Sequence, residues 1–245
     1  MSLSIQDKVA LVTGANRGIG RAIVETFIKH GAKKVYLAVR NPDATAELEQ
    51  KYPGKVSTLQ VDVSDPAAIT ALAQRAADVQ ILVNNAGVLE VADPLSDSVE
   101  AALQHEMDVN VFGLIRMAKA FAPVLEANGD GAIVQMNSVA SVINFADFST
   151  YSASKAAAYS ITQGLRDKLA PRGIHVLSVH PGPIDTDMAK KAGFEGESVD
   201  LVSEGIVSAL ALGQFHLFPD STAKGIWEVY GPYAEAVRGA LPEAA

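Results

Sequence analysis

The sequence contains no cysteine, which removes disulfide scaffolds, thiolate metal sites and cysteine nucleophiles together. Basic side chains are outnumbered, 20 Lys and Arg against 28 Asp and Glu, and the net charge of −8 argues against a nucleic acid as the main partner. Long apolar runs are missing, and nothing approaches the roughly 18 apolar residues of a membrane span. The amino terminus has no basic region, and its apolar run Val9–Val12 is far too short for a signal-peptide core. A cytoplasmic protein with no membrane partner is therefore expected. The histidines, His30, His105, His175, His180 and His216, show no i,i+4 or short-loop pairing suited to a metal, and none is expected. What remains is ordinary for a globular chain of 245 residues: 49% hydrophobic and 20% charged, enough to bury a sizeable core.

Two kinds of apolar segment alternate. Short runs rich in β-branched residues predict strands at Lys8–Val12, Val35–Val39, Val56–Val61, Ile81–Val83, Ala132–Met136, His175–Val179 and Phe215–Phe218. Longer stretches with helical spacing predict helices at Gly18–His30, Pro66–Ala77, Val99–Leu125 and Tyr151–Leu169. Runs apolar on both faces belong to strands covered on both sides. The reading is an α/β fold: one doubly wound Rossmann domain over residues 1–245, with a seven-stranded, mostly parallel sheet and helices on both faces. No repeat, linker or composition break marks a second domain.

The first strand runs into Thr13-Gly14-Ala15-Asn16-Arg17-Gly18-Ile19-Gly20 and then a helix. Glycines let a backbone approach a pyrophosphate closely, and a helix amino terminus offers it free N–H groups and partial positive charge. The same turn would also serve plain helix–strand packing. The second strand ends Val39-Arg40-Asn41, without the carboxylate that would hold the ribose hydroxyls of NAD. Arg40 and Arg17 together suit a 2′-phosphate, so NADP(H) is expected over NAD(H), unless both arginines are only solvated surface charges. Asp62 follows the third strand, placed either to accept from an adenine amino group or to cap the helix near Pro66. Asn84-Asn85-Ala86-Gly87 follows the fourth strand, again at a carboxyl end where such sheets bind ligands.

Tyr151 and Lys155 stand four apart at the start of a helix, on one face and about a turn apart. A nearby cation favours a phenolate and lowers the phenol pKa, making it a usable acid or base near neutral pH. Ser138 ends the fifth strand, and Asn110 lies in the long helix Val99–Leu125.

Thr13–Gly20, Asn84–Gly87, Asn110, Ser138, Tyr151 with Lys155, and Pro181–Met188 together resemble the short-chain dehydrogenase/reductase family in its single-domain form, in register over roughly residues 5–190. The pairing of Arg17 with Arg40 is similar to its NADP(H)-preferring carbonyl reductases and alcohol dehydrogenases. The resemblance implies that Tyr151 is the acid or base toward the substrate oxygen and that Lys155 binds the nicotinamide ribose and lowers the phenol pKa. It implies that Ser138 orients the substrate oxygen and that Asn110 supports a proton relay through water. Gly14, Asn16, Arg17, Gly18, Ile19, Gly20, Arg40, Asp62, Asn84, Ala86, Gly87, Pro181, Gly182, Ile184 and Thr186 would join Tyr151 and Lys155 in binding NADP(H). The pocket expected from Leu89, Val91, Val142, Phe145, Phe148, Pro183, Met188 and Phe194 is mostly apolar, which favours a hydrophobic ketone or aldehyde and its alcohol. Val142, Phe145 and Phe148 serve core packing equally well. The short stretch between Met188 and Val199 suggests a small lid and a wide entrance.

The carboxyl-terminal part departs from the pattern. A strand with a Val-Asp-Gly-Gly-like turn that helps form a tetramer is replaced by Phe215-His216-Leu217-Phe218-Pro219-Asp220 and Lys224-Gly225-Ile226-Trp227-Glu228. A homo-oligomer remains the expectation, dimer or tetramer, with a dimer formed through Val99–Leu125 and Tyr151–Leu169. The same departure speaks against a bacterial ketoacyl-carrier-protein reductase, although a 3-ketoacyl thioester reductase stays open as an alternative. A non-enzymatic NADP-sensing protein has no need of Ser138, Tyr151 and Lys155 together. Nucleotide-sugar epimerases carry Gly-x-x-Gly-x-x-Gly loops and an added substrate domain, and this chain has neither.

Overall fold

A computed structural model describes residues 2–240. Its strands are β1 (Val9–Thr13), β2 (Lys34–Val39), β3 (Val56–Gln60), β4 (Ile81–Asn84), β5 (Gly131–Met136), β6 (Ile174–Val179) and β7 (His216–Leu217). They form one sheet in the order β3-β2-β1-β4-β5-β6-β7, and every pairing is parallel. The helices are α1 (Gly18–Lys29), α2 (Ala46–Lys51), α3 (Pro66–Arg75), α4 (Val99–Glu106), α5 (Gly113–Asn128), α6 (Ser149–Leu169), α7 (Asp187–Lys191), α8 (Val199–Leu212) and α9 (Ser221–Gly239). This is a Rossmann-like α/β fold, as the alternation of short and long apolar segments predicts.

Strand residues alternate between two cores, as a period of two requires. Ala10, Val12, Val35, Leu37 and Val39 join one cluster with Val24 and Phe27 of α1 and Val202 and Ile206 of α8. Val9, Leu11, Tyr36 and Ala38 face the other, against Ile69 and Leu72 of α3, Met117 and Phe121 of α5, and Tyr159 of α6. Both faces are dry, which explains the continuous apolar runs. The order reverses between β1 and β4, opening a crevice at the strands' carboxyl ends where ligands bind in such sheets.

Two departures from the sequence expectation matter for the site. The helix expected over Val99–Leu125 is divided: α4 and α5 are joined by a wide π-helical segment, Met107–Phe112, that contains Asn110. Such segments widen the helix locally and recur at functional sites. The expected strand Phe215–Phe218 shrinks to β7, because Phe215 turns into the second core and Phe218 into a third small cluster with Val139, Ala223, Ile226 and Trp227. Among the described residues no helix is long and apolar enough to cross a membrane.

Candidate functional site

A cleft with a volume of about 350 Å³ opens along the carboxyl ends of β1, β4, β5 and β6. Its left wall is the glycine turn. Gly14 adopts φ +64° and lies against Ala86, while a Cβ on Gly20 would fall 2.2 Å from the Gly14 carbonyl oxygen, so no side chain fits where the turn folds onto α1. Thr13 holds this turn to β4: its hydroxyl donates to the Val83 carbonyl at 3.2 Å and accepts from Asn85 N and Ala86 N, both at 2.9 Å. Arg17 precedes α1 without a side-chain cap, and no acid stands in the first turn. The first-turn N–H groups of Gly18, Ile19 and Gly20 are left to the cleft that these residues line. This uncapped, glycine-flanked helix start fits a dinucleotide pyrophosphate.

Asn16, Arg17, Arg40 and Asp62 line the same end. Both arginines are exposed, and Arg17 is engaged by Asp187 of α7 at 3.2 Å across the mouth of the cleft. Asp62 does not cap α3. That role belongs to Asp65, which accepts from Ala67 N and Ala68 N. Asp62 instead accepts from Ser64 N at 2.9 Å and the Ser64 hydroxyl at 2.7 Å. The backbone bond from Ser64 first, then the hydroxyl, holds its carboxyl below the usual range, and Arg40 adds to this.

Asn84 is a correction. It lies beneath the cleft, beside Asn110 and Gln135, because alternation along β4 turns it away, and both its side-chain polar atoms are buried without partners. Its neighbour Asn85 takes the expected place and ties down the turn, donating to Thr13 O at 2.9 Å. Ala86, Gly87, Pro181, Gly182, Ile184 and Thr186 continue the lining toward the other end.

At that end Ser138, Tyr151 and Lys155 converge. Ser138 follows β5 in extended backbone, and its hydroxyl accepts from Ala140 N at 3.1 Å. Its carbonyl oxygen is held by His180 Nδ1 at 3.2 Å, and His180 Nε2 meets the Ser178 hydroxyl at 2.7 Å. A carbonyl only accepts, so the ring proton sits on Nδ1 and Ser178 donates to Nε2; Asn137 in turn donates to Ser178 at 2.8 Å. Burial pushes His180 down to about 3, which keeps the ring neutral in this chain of bonds.

Lys155 Nζ lies 5.6 Å from the centre of the Tyr151 ring and donates to the Met136 carbonyl at 2.9 Å. The expectation of a lowered phenol pKa is overturned for this structure. Burial pushes Tyr151 up to about 12, outweighing a hydrogen bond with Ser138, and burial pushes Lys155 down to about 8. Each group resists charge for the same reason, loss of water.

Asn110 lies in the π-helical segment, and its Oδ1 and the Lys155 amine both border Gly87. It sits behind the cleft, where its Oδ1 accepts from Val88 N at 2.9 Å and its Nδ2 donates to Val88 O at 2.9 Å and to the Ser154 hydroxyl at 3.0 Å. Its side chain thereby pins the segment after β4 onto α6. Of the expected substrate pocket, Leu89, Phe145, Phe148, Pro183, Met188 and Phe194 line the cleft. Phe148 and Phe194 meet with ring centres 5.5 Å apart. Val91 points to solvent, 60% exposed, and Val142 packs against the second core, so neither lines it.

Sequence reasoning missed Asp220. It is 1% exposed, caps α9 through Ala223 N at 2.9 Å, and reaches across to accept from Gly182 N at 2.7 Å. Pro-Asp-Ser-Thr ahead of a helix was the available signal. The atypical carboxyl-terminal segment thereby braces the turn lining the cleft. Asp220→Ala removes a cap and strands a buried N–H, so urea unfolding should show a loss of roughly 2–4 kcal/mol.

A family model described as short chain dehydrogenase matches residues 8–195. The NAD-dependent glycerol dehydrogenase of Listeria innocua is 35% identical, over 90% of this chain and 85% of its own length. The 3-oxoacyl-[acyl-carrier-protein] reductase FabG of Vibrio cholerae is 31% identical, over 97% of this chain and 95% of its own. A short chain dehydrogenase from Burkholderia cenocepacia, solved in complex with NADP, superimposes with a TM-score of 0.88 at 33% identity, covering 98% of this chain and all of that one (100%).

Proposed function

The chain belongs to the short-chain dehydrogenase/reductase family and is an oxidoreductase, and on that premise we propose that it reduces a hydrophobic ketone or aldehyde with NADPH. One observation carries the reading: Ser138, Tyr151 and Lys155 converge at one end of a cleft whose other end is an uncapped helix start flanked by Arg17 and Arg40. NADPH supplies the hydride when bound. The glycine turn, the start of α1, and the Pro181–Thr186 segment would hold it. Arg40, with Arg17 once released from Asp187, would take its 2′-phosphate in charge-assisted hydrogen bonds.

The protein's own part is positioning and one proton. Tyr151 gives its proton to the substrate oxygen, and Ser138 donates to that oxygen to fix its place. The phenol becomes a phenolate as it does so, and the Lys155 ammonium beside it stabilises that developing charge. A phenol held up near 12 carries its proton at neutral pH, ready to give to the substrate oxygen. Leu89, Phe145, Phe148, Met188 and Phe194 offer an apolar, aromatic wall to the rest of the substrate, and the mouth there is open, with Phe145, Met188 and Phe194 each more than a third exposed.

The test is a panel of aromatic, alicyclic and aliphatic ketones and an acyl thioester, followed by nicotinamide absorbance with both cofactors. Turnover of bulky ketones with NADPH is expected; activity confined to the thioester would favour the alternative reading. Arg40→Asp should lower kcat/KM with NADPH by roughly ten- to hundredfold and spare NADH, because a charged hydrogen bond contributes about 1.5–3 kcal/mol. Equal use of both cofactors by the unaltered protein would overturn the NADP(H) assignment.

A further inference from the structure

Behind Tyr151 and Lys155 lies a carboxyl that the chemistry above does not use. Glu106 ends α4 and is completely buried, 0% exposed. Its Oε1 accepts from Glu90 N at 2.8 Å, while its Oε2 has no hydrogen-bond partner. Thr150, the residue before Tyr151 in α6, is 3% exposed and its hydroxyl is likewise unpartnered. That hydroxyl lies close enough to the carboxyl to favour its ionised form.

The placement follows a pattern. Glu106 and Asn110 stand four apart, on one face where α4 passes into the π-helical segment. Opposite them on α6, Thr150 and Ser154 also stand four apart. Asn110 grips Ser154 at 3.0 Å, and Glu106 neighbours Thr150. Each of these two α6 residues immediately precedes one that lines the cleft: Thr150 precedes Tyr151, and Ser154 precedes Lys155. The two helices are matched turn for turn, with a neutral amide behind the amine and an acid behind the phenol.

We propose that Glu106 is a positioning residue of the reaction, a buried carboxylate whose charge keeps Lys155 in its ammonium form while Tyr151 gives up its proton. The charges around it support this. Its field raises the proton affinity of both Lys155 and Tyr151. Burial holds the Glu106 carboxyl itself above the ordinary glutamate range, opposed by the Glu90 N–H and the Thr150 hydroxyl. The Glu90 carboxylate raises it further, and His105 works against this while pairing with Glu90 at 3.1 Å. On the bend itself Asp108 is paired with Arg116 at 2.8 Å. Glu106 is thus the one charged group that acts on both Tyr151 and Lys155. The Lys155 ammonium faces desolvation, which Glu106 alone offsets by charge.

The proposal rests on Tyr151 and Lys155 acting as stated above, and the experiment separates the two. The pH dependence of kcat/KM for ketone reduction is measured for the unaltered protein, Glu106→Gln, Thr150→Val and Tyr151→Phe. Gln keeps an acceptor for the Glu90 N–H, so a purely structural role leaves the profile in place. With the carboxylate gone, the alkaline limb set by Lys155 should move to lower pH by on the order of one unit. Thr150→Val, which leaves the carboxyl but removes the hydroxyl favouring its charge, should move the limb the same way by less. If Glu106→Gln does not fold, the Thr150→Val profile decides. An unmoved limb in the folded variants overturns the proposal, even where Tyr151→Phe is inactive. Turnover retained by Tyr151→Phe would instead overturn the assignment of Tyr151 on which the proposal is built.

Discussion

Tyr151→Phe should reduce ketone turnover by roughly 10²–10⁴-fold, the ordinary contribution of a positioned proton donor, while leaving NADPH affinity nearly unchanged. The substitution removes one oxygen from a ring that is otherwise held in place, so the loss falls on kcat and not on the shape of the cleft. The magnitude depends on the proton being present to give. Burial, outweighing a hydrogen bond with Ser138, pushes the phenol up to about 12, so it stays protonated across the range in which the protein is assayed. Reduction should therefore show no alkaline limb from this group within that range. Oxidation of the alcohol runs the other way: it needs the phenolate, whose population rises tenfold per pH unit below the pKa, and its rate should climb with pH. Stopped-flow single turnovers, with NADPH binding measured separately by fluorescence, check the pair of outcomes. A Phe variant that turns over at near-normal rate would remove Tyr151 from the chemistry. So would an alcohol oxidation rate flat across the alkaline range.

Why this pair was visible in the sequence, and its surroundings less so, follows from the range of the forces involved. β1 and α1 are local: an apolar run, a glycine turn at Gly14–Gly20 and a helical face with Ile23 and Phe27 leave one solution. The i,i+4 spacing of Tyr151 and Lys155 is local too, and Ser138 follows from the end of β5. Other features are settled by contacts far apart in the chain. Arg17 meets Asp187, 170 positions away. Asp220 meets Gly182, 38 away. The break between α4 and α5 leaves the apolar periodicity almost undisturbed, so it reads as one helix; Asn110 within it bonds to Val88 and Ser154, contacts 22 and 44 positions away. Asn84 and Asn85 are adjacent and chemically identical, and only the strand's alternation decides which faces the cleft. Val91 and Val142 are apolar like Phe145 and Phe148, and composition does not distinguish a residue lining a cleft from one packed beneath it or left in water. The phenol's pKa is the sharpest case. Spacing reveals the cation beside it but not the burial, and in this structure burial is the larger effect.

That balance gives Lys155→Met two opposite consequences. Turnover should fall by roughly 10²–10⁴-fold, since the phenolate formed as Tyr151 gives up its proton loses the cation that stabilises it, and cofactor affinity should fall with the ribose contact that the family resemblance implies for Lys155. Stability should rise. Burial pushes the Lys155 amine from 10.5 down to about 8, so the folded chain binds this proton less tightly than the unfolded chain does. Between pH 8 and 10.5 the unfolded state carries the extra proton, and stability increases with pH through that window. Below it the whole difference, about 3 kcal/mol, opposes folding. Met replaces the amine with an unbranched apolar chain that tolerates burial; the Met136 carbonyl that loses its donor still accepts from Gln135 Nε2 at 3.3 Å. Urea unfolding at neutral pH should then show the variant more stable than the unaltered protein. The rise of stability across the alkaline window should be present in the unaltered protein and flattened in the variant. A variant less stable at neutral pH would mean that the hydrogen bond to Met136 outweighs the desolvation of the charge. A variant with unchanged turnover would mean that the ammonium is not needed beside the phenol. The combination expected, a more stable protein that no longer works, is the signature of a charge kept in an apolar place for the reaction and not for the fold.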